Sequence, residues 1–161
     1  MSGIEAKIKN SNLLTQVFGR WPSFHDAEVI SMELFRNAGG VSQPNLRSKI
    51  HVFEMTSEID AQGFYVLKNN VLVTFLFGGI DESFVNGFNQ QNVLWGLSIA
   101  DISPRQLERL QFEVNFASSF GVQAEFKCSN VEIEVVESYI PGVDDDLPRQ
   151  TGTRPGAFKP S

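Results

Sequence analysis

Two segments near the C-terminal end constrain the fold more tightly than anything else in the chain. Leu110, Phe112, Val114 and Phe116 alternate with Gln111, Glu113 and Asn115, and Val122, Ala124, Phe126 and Cys128 alternate with Gln123, Glu125 and Lys127. Successive side chains on a strand point to opposite faces, so this period of two gives each segment one dry face and one wet face. Ser118-Ser119-Phe120-Gly121 lies between them and reads as a hairpin connection. Beyond Cys128 the apolar positions shift parity to Val131, Ile133 and Val135. A tight turn or a bulge is therefore expected at Ser129-Asn130, because an unbroken strand would turn its apolar face to water.

The rest of the chain extends the pattern. Ile30, Met32 and Leu34 alternate with Ser31 and Glu33; residues 47–58 place Ile50 and Val52 on one face and His51, Phe53 and Met55 on the other. A short strand is expected over Phe64 to Leu67 and another over Val93 to Ile99. Val71 to Phe77 is apolar on both faces, as a strand inside a sheet or between two layers must be. Leu13, Leu14, Val17 and Phe18 fall at helical spacing, which predicts a short helix from Asn12 towards Phe18, capped by Asn10 or Ser11 and stopped by Gly19. Pro104 starts a helical turn through Leu107. Residues 81–92 are polar apart from Phe84, Val85 and Phe88, and read as a loop packed down by its aromatic rings. The expected fold is α+β, mainly β: an antiparallel sheet bent or paired into a sandwich, with one or two short helices. Residues 1–140 form the single domain. Residues 141–161 are a Pro/Gly/Asp-rich tail with four of the seven prolines, a composition that by itself does not fold.

Fourteen Phe supply ample material for the core. Nineteen Asp and Glu against 13 Lys and Arg leave a net charge of −6, which repels nucleic-acid backbones and suits a basic protein partner. A single cysteine excludes an internal disulfide and a cysteine-based zinc cluster. Residues 1–9 lack the apolar stretch of a secretory signal and no run approaches a membrane span, so a cytoplasmic protein with no membrane partner is expected.

The chemistry-bearing residues have bland readings beside the sharp ones. His25, Asp26, His51 and Glu54 offer two imidazoles and two carboxylates, enough for a metal-dependent enzyme or binder. Against this, His51 and Glu54 are three apart, on opposite faces of a regular strand. The structural reading has Ser23 or Asp26 capping turn amides and His25 donating a hydrogen bond. Cys128 continues the dry side of its strand and reads as a small buried hydrophobe, not a nucleophile. No glycine-rich phosphate loop is present. No residue is assigned a catalytic role and no cofactor is expected. Trp21, Phe24 and Trp95 are either core side chains or anchors for a partner, with the core favoured. Acidic residues are a solvated face or a patch that attracts a basic protein; Glu58, Asp60, Asp81 and Glu82 are the contact candidates. A homo-oligomeric structural domain is the remaining alternative.

The segment FGRWPSFHDAEVISMEL, from Phe18 to Leu34, resembles the signature of the immunity protein 50 family of bacterial polymorphic-toxin systems. IHVFEMTSEID, VTFLF, GFNQQNVLWGL and SSFGVQAEFKCSNVEIEVVE follow in the same order, so the resemblance covers about residues 10–138. It implies a cytosolic antidote that binds a cognate toxin domain and blocks its active site or another essential surface, without a cofactor. It carries over no catalytic residue. It also implies that Trp21, Pro22, Phe24, His25 and Asp26 hold the fold, because an inhibitor must vary its contact surface with its toxin.

Overall fold

The computed structural model describes residues 3–38 and 40–141, so the expected tail lies outside the described residues apart from Pro141. Eight strands form one open antiparallel sheet: β1 (Glu28–Ala38), β2 (Val41–Ile59), β3 (Tyr65–Gly78), β4 (Asp81–Asn86), β5 (Val93–Asp101), β6 (Phe112–Phe120), β7 (Gln123–Cys128) and β8 (Asn130–Ser138). Their order is β4-β7-β6-β5-β1-β2-β3-β8. β1 and β2 pair along most of their length, whereas β1 and β5 pair only at Glu28 and Val93. The sheet folds back on itself at this weak seam. Phe77 of β3 meets Phe116 of β6 at 5.9 Å and Phe126 of β7 at 5.1 Å between ring centroids, although those strands stand four and five places away in the sheet. The two halves thus enclose a core in which Phe75, Phe77 and Phe116 have no exposed surface. Each such side chain contributes roughly 1.5–3 kcal/mol.

The short helix α1 (Asn12–Phe18) buries Leu14 and Phe18 and ends at Gly19, whose φ of 75° lets its amide reach Thr15 O at 2.7 Å. Neither Asn10 nor Ser11 caps the other end. Ser11 already has helical angles and its hydroxyl makes no cap bond, since an N-cap needs the extended backbone that this residue has left. Ahead of the helix, Lys9 runs beside β8: its N–H donates to Val131 O at 3.0 Å, and Ile133 N–H donates to Lys9 O at 2.9 Å. Among the described residues no helix is long and apolar enough to cross a membrane.

Two further local expectations change, and a third gains a cause. Residues 81–86 are not a packed loop but an edge strand, and Phe84 and Phe88 are 54 % and 48 % exposed. The reason is register: Phe84 pairs with Glu125, on the wet side of β7. The break expected at Ser129-Asn130 falls at Ser129, a one-residue bend that carries the chain from β7 to β8 in the opposite half, so the parity switch is a change of layer. Val135, expected inside, is 44 % exposed while Val136 packs on the core. A bulge causes this: Thr74 pairs with Val135 but Phe75 with Ile133, so Glu134 is one residue too many and the inward face flips.

Candidate functional site

The Arg20–Asp26 segment between α1 and β1 is pinned from beneath. Trp21 and Phe24 pack on Phe75 with centroids at 6.3 and 5.9 Å, and Pro22 is buried. Ser23 Oγ accepts the His25 amide at 3.2 Å, as the structural reading expects. Asp26 has φ 68°, a left-handed conformation that Asp tolerates better than most residues. Its N–H donates to Leu94 O at 2.9 Å and Leu94 N–H donates to Ala27 O at 2.8 Å, so β5 fixes the end of the segment.

These constraints bring His25 and Asp26 to the surface. His25 Nδ1 lies 2.8 Å from Asp26 Oδ2. The His25 ring stands edge-on to Trp95 at 4.6 Å. Trp95 is exposed, at 64 %, because Leu94 pairs with Ser118 and Gly96 with Ala117, which leaves Trp95 as an extra residue on a bulge. The core reading holds for Trp21 and Phe24 and fails for Trp95.

A groove of about 600 Å³ runs between this segment and the distal part of β2. Arg20, His25 and Asp26 form one wall; Phe53, Glu54 and Met55 of β2 and Lys68 of β3 form the other. Glu54 spans it, accepting from Asn69 Nδ2 at 2.7 Å and lying 3.8 Å from an Arg20 guanidinium nitrogen. The groove therefore carries two cations and two carboxylates, internally matched.

The four metal-ligand candidates do not assemble. His25, Asp26 and Glu54 line the groove, whereas His51 is fully buried with Nε2 2.8 Å from Asn70 Oδ1 and its ring beside Phe53 and Tyr139. Among the described residues no three His, Cys, Asp or Glu group as a metal site would require. Cys128 has no exposed surface, and burial pushes its pKa up to about 12.

The acidic candidates form two patches, not one. Glu58 and Asp60 lie at the β2–β3 turn, where Asp60 Oδ1 accepts the amides of Gln62 and Phe64, both at 2.9 Å. Asp81 and Glu82 begin β4; Asp81 lies 3.5 Å from Arg109 and Glu82 pairs with Lys127. The 14 residues of β3 separate the two pairs, roughly 45 Å of strand. The sequence reading missed Arg20 and Lys68 as groove residues, and no local pattern marks them, since the groove joins segments far apart in the chain.

The fold and these surfaces define a mainly-β α+β domain whose exposed features are a charge-matched groove, two acidic patches and protruding aromatic rings. The chain belongs to the immunity protein 50 family, whose model matches residues 10–139, from the start of α1 through all eight strands. No curated protein and no solved structure matches it.

Proposed function

We propose that this protein is an antidote: it binds one cognate toxin domain in the cytoplasm of the cell it protects and neutralises it by covering the toxin's active site or another essential surface. Membership of the immunity protein 50 family, over residues 10–139, is the observation that carries this reading. Occlusion requires a rigid, preformed surface, which keeps the entropy cost of association low, and a folded sheet supplies one. It requires no cofactor and no catalytic residue. The net charge of −6 favours encounter with a basic toxin domain.

Co-expression with the toxin domain encoded in the adjacent reading frame tests it. The expected result is survival of the host cells and a stable complex on size exclusion. Cells that die at the same rate with and without this protein would refute the proposal.

A further inference from the structure

Among the described residues the exposed Phe, Tyr and Trp side chains are four: Phe84, Phe88, Trp95 and Phe120, at 54, 48, 64 and 53 %. They are not scattered over the molecule. Asn86 at the end of β4 pairs with Gln123 of β7, and Gly87 approaches Gly121 so closely that a Cβ there would lie 2.7 Å from Gly121 O. Asn92 then clamps the connecting loop to the β6–β7 turn: its Oδ1 accepts the Asn89 amide at 2.9 Å and the Val122 amide at 3.1 Å. Phe88 and Phe120 flank these contacts. Val93 pairs with Phe120, and Trp95 follows two residues along β5. β4 and β5 are three inter-strand spacings apart, about 14 Å. One end of one half-sheet therefore displays all four rings.

The segments that carry the rings hold no charge of their own, although Phe84 pairs with Glu125 and Trp95 stands against His25, itself beside Asp26. Residues 83–100 and 114–124 contain none of the chain's 13 Lys and Arg or 19 Asp and Glu. At the chain's 20 % charged content, stretches of that total length would hold about six, and loss of charge together with gain of aromatics is the composition of an interface core. Half-exposed, the four rings together present on the order of 400 Å² of apolar surface, in the range of the largest apolar patch on a monomer, which is often functional. The Asn92 clamp holds the loop in place before any partner arrives.

Resting on the antidote reading, we infer that this aromatic end of the β4-β7-β6-β5 half-sheet, and not the acidic patches, is the surface that contacts the toxin domain. The matching toxin surface is uncharged at its centre, with apolar pockets for the rings, inside a basic surround. A second copy of this chain is a poorer occupant, because two molecules of charge −6 repel each other.

The test uses the adjacent-frame toxin domain as the probe and measures binding of the wild-type chain, of Phe88→Ser/Phe120→Ser, of Trp95→Ala, and of Leu34→Ser/Ile59→Ser as a control for exposed apolar residues elsewhere. The Phe88/Phe120 variant is expected to bind at least about 100-fold more weakly and Trp95→Ala about 30-fold, mainly through faster dissociation, with the control within about threefold of wild type. Hydrogen exchange on the wild-type complex supplies a readout independent of any variant's folding: amides in 84–96 and 117–123 should slow. Variants that fold and bind like wild type, or a complex with no slowing there, overturn the inference while leaving the antidote reading intact. A wild-type dimer that the Phe88/Phe120 variant dissolves without loss of toxin binding overturns it too. Failure of the wild-type chain to bind or protect would instead remove the antidote reading, and this inference with it.

Discussion

At Cys128 a single proton separates the folded chain from the unfolded one. Burial holds the folded thiol's pKa at about 12, whereas an unfolded thiol titrates near about 8.5. Because the folded value is the higher, the contribution to stability is whole below the unfolded pKa and is lost as pH rises from there towards about 12. In that window the unfolded chain has released a proton that the folded chain retains, so stability falls by about 1.4 kcal/mol per pH unit. Urea unfolding of the wild-type chain should therefore weaken more steeply between about pH 9 and 11 than that of Cys128→Ala. Parallel curves would mean that the thiol ionises in place. The alternation that ran through Cys128 marked this residue as buried. Nothing comparable marked Trp95, whose exposure depends on one extra residue in a ladder whose partners on the other strand are Ser118 and Ala117, remote in sequence.

Elements differ in how far the chain announces them, and the reason is where their partners lie. β6 and β7 pair with each other across a short turn, and each has a wet side, so local alternation suffices: Phe112 faces Cys128 and Val114 faces Phe126. β4 was not legible, because its one strand partner among the described residues is β7, far along the chain, and Phe84 and Val85 show no alternation to read. The string from Trp21 to Asp26 was legible as a unit, but the split of its roles was not: Trp21 and Phe24 pack on a β3 residue that only the fold supplies, which leaves His25 and Asp26 to the groove. The N-terminal edge cover was missed altogether, since Lys9 acts through its backbone. Its ion pair with Glu132, at 3.6 Å and with the Lys9 side chain 72 % exposed, contributes little. Its two backbone hydrogen bonds tie residues 9 and 131–133 together. Lys9→Pro, which deletes the donor to Val131 O, should cost about 1–2 kcal/mol in chemical unfolding, against about 0.5 kcal/mol or less for Lys9→Ala. Equal losses would show that the charge, not the backbone bridge, holds this segment.

Across the whole molecule, attraction and contact are assigned to different places. Acidic residues stand at both ends of β3, Glu58 and Asp60 at one and Asp81 and Glu82 at the other, and the net charge of −6 acts at a distance, while residues 83–100 and 114–124 carry no charge. Long-range attraction sets how often partners meet, and close contact sets how long they stay. Glu58→Lys combined with Asp81→Lys changes the net charge from −6 to −2, because each substitution exchanges a negative for a positive group. Neither position lies in the proposed contact, so this variant should associate with a basic toxin domain about tenfold more slowly at low salt and dissociate at the wild-type rate. The difference should vanish near 1 M salt, where the screening length is about 3 Å. Stopped-flow association across a salt series measures both effects. An association rate indifferent to the two substitutions and to salt would show that the partner is not drawn in by charge, and a changed dissociation rate would place Glu58 or Asp81 inside the contact itself.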